Sequence, residues 1–247
     1  MCVMDVTYCI LSETGGRPVN EDSVGMARHG DAYCFTLADG LGGHGSGEVA
    51  SALAVETLEE AFRKFEPEEA ETWLANAFLC AQQNVMEKQK ELNNTNGIKT
   101  TLTAVVIEQD RFQWAHIGDS RIYLFRRGKC QRRTLDHSVP QMLVAAGEIK
   151  EKDIRNHPDR NRLLRVIGTD WDSPRFEVGR AFSPSKTDSL LLCSDGFWEL
   201  IDEKTMEKEL KKAETVEDWV KAMEREVLRN GENKEMDNYS AIGIWLR

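Results

Sequence analysis

Residues Phe35 to Ala50 read "FTLADGLGGHGSGEVA". An apolar run leads to an acid, five glycines follow within nine residues, and a helix begins. Two readings compete for this stretch. Gly40, Gly42 and Gly45 fit the G-x-G-x-x-G spacing that cradles a dinucleotide pyrophosphate between a strand and a helix. Alternatively Asp39 carries the chemistry, and glycine lets the backbone come close to whatever Asp39 holds.

The flanking sequence decides between them. Short apolar runs near 5–11, 22–28 and 32–38 predict strands. "SGEVASALAVETLEEAFRKF" opens with Ser46 as an N-cap, and Val49, Leu53, Leu58, Ala61, Phe62 and Phe65 share one helical face. Residues 68–92 repeat the pattern through Trp73, Ala77, Phe78, Ala81 and Val85, and both stripes read as core. A dinucleotide fold needs a parallel strand–helix–strand unit with an acid closing its second strand. Here helix follows helix, Glu59 and Glu60 lie inside the first, and Asp39 would face the pyrophosphate with like charge. The nucleotide reading is set aside.

Further along, "TLTAVVIEQ", "RFQWAHIG" and "SRIYLFRRG" are joined by links too short for crossover helices, so they are expected to be antiparallel. Residues 137–170 mix short helical pieces with "RNHPDRNRLL" and read as an irregular excursion. "RFEVGRAF" and "DSLLLCSDG" return to strands, two helices cover about 196–230, and "NYSAIGIWLR" closes the chain as a strand. Paired helices and grouped strands predict an α+β fold with a largely antiparallel sheet core.

Bulk properties narrow the function. A chain of 247 residues suits one large domain or two small ones. Its net charge of −10, with acids and bases mixed, argues against a nucleic-acid binder, which needs a basic stripe. It permits an acidic pocket for cations. The six cysteines are scattered with no C-x-x-C pair and read as small buried hydrophobes in a reducing compartment. "MCVMDVTYCILSETGG" lacks the basic start and long apolar core of a signal peptide, and no apolar run reaches the ~18 residues of a membrane helix. A cytoplasmic protein is expected.

The acids then form a pattern. Asp39 follows "AYCFTLA", Asp119 follows "FQWAHIG", Asp195 follows "SLLLCS", Asp237 precedes "YSAIGIWL", and Glu21 and Asp22 precede a short strand. Each acid sits where a hydrophobic strand meets a turn, so several could converge on one sheet edge. Convergent carboxylates repel unless cations lie among them, and an all-oxygen set suits Mg²⁺ or Mn²⁺ rather than zinc. One strand-end Asp-Gly pair would be an ordinary turn; the whole set is not.

Taken in order, "RPVNED" (17–22), "ADGLGGHGSGE" (38–48), "TTLTAVV" (100–106), "HIGDSRIYLFRRG" (116–128), "LDHS" (135–138), "NRLLRVIG" (161–168), "LLLCSDGFWE" (190–199) and "DNYSAI" (237–242) cover nearly the whole chain. The chain resembles the metal-dependent Ser/Thr protein phosphatases of the PPM or PP2C-like family, in their compact bacterial form. The resemblance implies a single domain over 1–247. In it a central antiparallel β-sandwich is flanked by pairs of helices, a four-layer αββα arrangement, with a flap at about 137–170.

It also implies an active site at one end of the sandwich. Two or three divalent cations, Mn²⁺ or Mg²⁺, are expected there, two of them sharing a bridging water whose hydroxide attacks phosphorus directly. By the family pattern Asp39 bridges both ions, Asp195 and Asp237 complete one, and Glu21 with the Gly40 carbonyl serves the other. Asp22 and Asn238 are expected behind them, holding ligands or waters in place. Asp119 matches the ligand of a third, weaker metal, shared with Asp195, and Arg17 the phosphate-binding arginine. Leu41 stands where many relatives have a histidine proposed as general acid, and His44 does not have the spacing to replace it. For Arg160 and Arg162 in the flap, salt bridges or solvent are the ordinary reading and phosphate contact the sharper one.

The implied partners are phosphorylated proteins, such as the substrates of a Ser/Thr kinase, with no nucleic acid, no membrane and a monomeric chain. A second hypothesis is a non-catalytic phosphoprotein-binding module on the same fold. Missing acids would mark it, and all are present.

Overall fold

Leu190, Leu191, Leu192 and Cys193 are apolar without alternation and fully buried, as a strand covered on both faces must be. Leu190 and Leu192 point into a core between two sheets, while Leu191 and Cys193 point into a core under helices. The run Ala104–Ile107 divides the same way, with Val105 and Ile107 between the sheets and Ala104 and Val106 toward the other helices. Two sheets therefore lie face to face, each with helices on its outer side.

The structure is a computed structural model and describes residues 4–42, 46–65, 70–94 and 97–247. Its strands are β1 (Val6–Glu13), β2 (Asp22–His29), β3 (Ala32–Leu41), β4 (Lys99–Thr100), β5 (Leu102–Ile107) and β6 (Phe112–Ile117). They continue with β7 (Arg121–Arg126), β8 (Lys129–Arg133), β9 (Glu177–Val178), β10 (Asp188–Cys193) and β11 (Tyr239–Leu246). One sheet has the order β1-β11-β10-β7-β8; the other has β2-β3-β5-β6-β9, with β4 paired to β3. All these pairings are antiparallel.

Helices α1 (Ser46–Phe62) and α2 (Ala70–Glu91) cover the second sheet through Ala50, Ala54, Leu58, Leu74, Phe78 and Ala81. Helices α4 (Asp195–Trp198), α5 (Glu203–Lys212) and α6 (Val216–Gly231) cover the first through Phe197, Trp198, Met206, Trp219 and Met223. At the start of α6, Thr215 Oγ1 accepts from the Asp218 amide and Asp218 accepts from the Thr215 amide, closing a reciprocal cap. The layering is that of the expected α+β sandwich. Among the described residues no helix is long and apolar enough to cross a membrane, and Cys9, Cys34, Cys80, Cys130 and Cys193 are free thiols.

The structure corrects three expectations. β6 and β7 do not pair; the chain crosses between sheets at Gly118–Asp119–Ser120, where Gly118 has φ +104°. That left-handed backbone is strained for any other residue, and a Cβ there would sit 2.6 Å from the Thr101 side chain. "RFEVGRAF" forms only the two-residue β9, with Phe182 bridging to Phe112. Three helices, not two, follow β10, because Asp195–Trp198 makes a separate short turn.

Residues 137–170 hold α3 (Val139–Ala145) and a 3₁₀ turn at Glu151–Asn156. They are tied down at several points. Arg155 donates to the carbonyls of Trp198 and Ile201 and pairs with Glu203 at 2.9 Å, and Ile167 bridges to Thr100.

A buried clamp joins the sandwich to the base of this segment. Arg121 makes two bonds to Asp136, at 2.8 and 2.7 Å, and its guanidinium lies 3.3 Å above the Trp198 ring. Both members of the ion pair are almost fully inaccessible. Breaking such a pair from one side leaves an uncompensated buried charge. Asp136→Ala should therefore lower unfolding stability by about 3–5 kcal/mol. An Arg121→Met/Asp136→Leu double substitution should lose markedly less; urea denaturation of the three proteins checks this.

Candidate active site

Antiparallel register places the first acids. Asp22 at the start of β2 stands directly opposite Asp39 near the end of β3. Asp39 lies inside the strand rather than in the turn after it, because β3 runs on to Leu41. Its backbone is held on both sides: the Asp39 amide donates to Thr101 Oγ1 at 2.8 Å, and its carbonyl accepts from the Thr101 amide and Thr100 Oγ1. Asp195 and Asp237 come from the other sheet, at the end of β10 and the entry to β11. Asp119 sits in the crossing between the sheets.

One cavity of about 560 Å³ collects Arg17, Glu21, Asp39, Gly40, Asp119, Asp195, Asp237 and Asn238 in its wall. These are all the residues that the resemblance assigns to metal or phosphate, together with Asn238; Asp22 lies buried behind them and accepts from Ser194 Oγ at 2.7 Å. The structure also brings in Pro18, Val19, Leu41, Gly42, Asn161 and Leu163. Asn161 and Leu163 were missed because neither carries a charge, and each stands beside an arginine that drew the reading. Arg160 instead pairs with Glu199 at 3.1 Å, and Arg162 with Asp159 at 3.5 Å, the ordinary alternative for both. His44 lies outside the described residues.

Asn238 cannot serve as a ligand while it does what it does here. Its Oδ1 accepts from the Glu21 amide, and its Nδ2 donates to the carbonyls of Thr14 and Val19, each at 2.9 Å. It thus fixes the loop that carries Arg17 and Glu21. Gly40 is a close-approach position: its amide donates to the Glu21 carbonyl at 3.0 Å, and a Cβ would fall 2.3 Å from the Gly47 carbonyl oxygen. Arg17 Nη2 donates to Asp237 Oδ2 at 2.8 Å across a partly exposed rim.

The electrostatics are those of crowded carboxylates. Burial, then Asp195 and Asp22, holds the Asp39 carboxyl well above its ordinary value. Burial, then Asp119 and Glu199, does the same to Asp195. Asp119 is pushed up to about 7, first by burial and then by Asp136, and Asp22 to about 6, mainly by burial. The donor set is all oxygen, the acids resist ionising together, and glycine opens the backbone at Gly40. This fits hard divalent cations. The ligand atoms need not close around one point, since paired metals stand roughly 3.5–4 Å apart.

A second cavity of about 460 Å³ shares Arg17, Asn161, Asp195 and Asp237, and runs on past Arg160, Glu199 and Lys234. The acid-lined site therefore opens into a groove walled partly by residues of the 137–170 segment.

Comparison with known proteins agrees with this geometry. Residues 14–239 match the family model described as protein phosphatase 2C. A serine/threonine phosphatase stp of Listeria innocua is 36% identical over 203 residues, covering 80% of this chain and 79% of that protein. The crystal structure of serine/threonine phosphatase Stp1 from Staphylococcus aureus superposes with a TM-score of 0.90 at 28% identity, covering 98% of this chain and 96% of that one. The catalytic domain of the serine/threonine protein phosphatase PstP, solved with two manganese ions, has a TM-score of 0.85 at 27% identity, covering 98% and 99%.

The raised carboxyls set the sign of the pH dependence of the metal-free fold. A folded carboxyl with a raised pKa keeps a proton that the unfolded chain has released, so stability falls as pH rises through that window. For Asp22 and Asp119 the window runs from the ordinary 3.8 to about 6 and about 7, and Asp39 and Asp195, also held well above 3.8, act in the same direction. In EDTA the melting temperature should be higher near about pH 6.5 than near about pH 8.5. Mn²⁺ at roughly 100 times its dissociation constant should add about 2.7 kcal/mol and flatten that slope. Thermal melts at both pH values, with and without Mn²⁺, check the direction.

Proposed function

This chain belongs to the protein phosphatase 2C family and is a serine/threonine protein phosphatase, and from that premise we propose how its cavity works. The carrying observation is the gathering of Glu21, Asp39, Asp119, Asp195 and Asp237 in one wall beside Arg17. Asp39, Asp195 and Asp237 would hold one divalent cation, and Asp39, Glu21 and the Gly40 carbonyl would serve another; Mn²⁺ and Mg²⁺ both suit these oxygens. Bound there, such ions would supply charge neutralisation for a phosphomonoester dianion and acidify water for direct attack on phosphorus, with no covalent enzyme intermediate needed.

The protein's own groups do the rest. Asp22 and Asn238 hold the acids and the Glu21 loop in position. Arg17 offers a planar fork to phosphoryl oxygens; to reach them it turns from Asp237, which its exposed position allows. Residues 137–170 act as a flap within one domain of 1–247, and Asn161 and Leu163 carry it to the cavity wall. Leu41 offers no proton to a leaving alcohol, so we assign proton delivery to the part of the cavity that Asp119 lines, where a third, weaker cation would be held. The substrates are phosphoserine and phosphothreonine in proteins. The phosphoprotein-binding module without turnover is not favoured, since no acid of the set is missing.

Exhaustive EDTA treatment should abolish phosphate release from a phosphothreonine peptide, and Mn²⁺ or Mg²⁺ should restore it. Asp39→Asn and Asp195→Asn should each lower kcat by at least ~10³-fold at saturating metal. Near-wild-type kcat in either variant would overturn the ligand assignment.

Asp119→Ala should leave the fold intact and lower kcat/KM more for the phosphothreonine peptide than for p-nitrophenyl phosphate. The aryl leaving group is a good anion and needs little protonation, whereas the alkoxide needs much. Equal losses on both substrates would remove Asp119 from proton delivery.

A further inference from the structure

Outside the acid-lined cavity the structure assembles a second group of ligand-type side chains. His116 near the end of β6 and Glu177 in β9 are direct cross-strand partners. His137, at the start of the 137–170 segment, is brought beside them because its amide donates to the Gly118 carbonyl and its carbonyl accepts from the Leu164 amide, each at 2.8 Å. The two imidazoles stack almost parallel, 4.7 Å apart at 10°. One ligand atom from each of His116, His137 and Glu177 lies within 4.8 Å of the others.

The state of His116 points to a ligand. Its Nε2–H donates to the Leu135 carbonyl at 2.9 Å, which leaves Nδ1 as the ring's lone-pair nitrogen. That Nδ1 is buried and has no hydrogen-bond partner. Buried polar atoms without a partner are rare. A ring whose far N–H is held by a backbone carbonyl is the usual arrangement of a metal-bound histidine. Burial, and then His137, pushes the His116 pKa down to about 4, so the ring is neutral near pH 7.

We propose that His116, His137 and Glu177 form a binding site for a divalent transition-metal ion of the zinc class, separate from the acid-lined cavity. Two imidazoles and one carboxylate select such an ion over Mg²⁺, which prefers oxygen ligands alone. With bonds of about 2.0–2.2 Å, tetrahedral ligand atoms stand roughly 3.4 Å apart; His137 Nε2 and Glu177 Oε1 are already 3.2 Å apart, and no pair in the trio, all within 4.8 Å, has to close by more than about 1.4 Å. Glu177 has about half its side chain exposed and supplies the entry path.

Two contacts compete with the ion. Arg165 approaches Glu177 Oε1 at 3.6 Å. His137 Nε2–H donates to the same oxygen at 3.2 Å, while the Gly118 amide donates to His137 Nδ1 at 3.2 Å. For Nε2 to bind the ion, the ring's single hydrogen moves to Nδ1 by exchange with solvent, with no net change in protons. The Gly118 amide then loses its acceptor. Because Gly118 precedes Asp119, loading this site acts on the strand crossing at the edge of the first cavity.

The test uses the full chain with millimolar Mg²⁺ occupying the acids, and Zn²⁺ as the probe. Equilibrium dialysis should show one Zn²⁺ bound in the presence of Mg²⁺. NMR should show the ring signals of His116 and His137 shifting, with those of His29 and His157 unmoved. Glu177→Gln, at an exposed position that leaves the core untouched, should weaken Zn²⁺ binding at least about tenfold, and His116→Asn should abolish it. Unchanged Zn²⁺ affinity in Glu177→Gln, or unshifted His116 and His137 rings at stoichiometric Zn²⁺, overturns the site. The Glu177→Gln comparison decides alone if His116→Asn fails to fold. Since the readouts are Zn²⁺ binding and ring shifts, their failure leaves the phosphatase reading untouched, and loss of phosphatase activity would not decide this one.

Discussion

Mutual repulsion among carboxylates is the constraint around which this structure is arranged. Asp39, Asp119, Asp195 and Asp237 share one cavity wall, and burial together with neighbouring acids holds Asp39, Asp119 and Asp195 above the ordinary carboxylate range. A chain does not collect such groups without fixing the backbone that carries them, because each would otherwise swing toward water. The fold supplies that fixation from both sheets. β3 delivers Asp39 beside Thr100 and Thr101, and β10 and β11 deliver Asp195 and Asp237.

Behind Glu21, Asp22 and Asp119 stand neutral or paired groups that bond to backbone or carboxylate. Asn238 spends its amide on Glu21, Thr14 and Val19. Ser194 donates to Asp22 and accepts from the Ser240 amide. The Trp198 indole N–H donates to the Asp119 carbonyl at 3.0 Å, and the same ring lies beneath Arg121, whose charge Asp136 balances. Asp119 is thus aligned through an aromatic ring and a buried ion pair, neither of which touches the cavity. Buried ion pairs often contribute little net stability; what this one contributes is a defined position for the strand crossing.

How much of this was legible in the sequence follows from the kind of signal each element carries. The acids were legible because each interrupts an apolar strand run, and their order along the chain matched a known pattern. "SLLLC" and "TAVVI" were legible as strands because they are unbroken apolar runs; that they are covered on both faces shows only in the structure. The crossing at Gly118 was not, because a link of three residues reads as a hairpin until its φ of +104° is known. β8 was missed since "KCQRR" is an exposed edge strand with no apolar face to advertise it. Asp136 carried a motif but no role, because its partner Arg121 is fifteen residues away and meets it only after the sheets form. Asn161 and Leu163 are uncharged and sit in an irregular segment, where no periodicity marks which side chains face a cavity.

Gly118 also separates two groups of ligand-type side chains by the width of one strand crossing. On its C-terminal side Asp119 joins an all-oxygen wall. On its N-terminal side His116 meets His137 and Glu177, a nitrogen-rich set. The backbone between them is bonded in both directions, with the Gly118 carbonyl accepting from the His137 amide and the Gly118 amide donating to His137 Nδ1. A change in the hydrogen carried by His137 therefore alters a bond made by the residue next to Asp119. The sign of any coupling is set by that bond. A state that keeps Nδ1 as an acceptor holds Gly118 in place and leaves the Asp119 carbonyl aligned with the Trp198 indole. A state that makes Nδ1 a donor removes the acceptor that the Gly118 amide uses and sets two N–H groups against each other. The histidines and the acids are in this way mechanically joined through one glycine, although no side chain of either group touches the other's ligand atoms among the described residues.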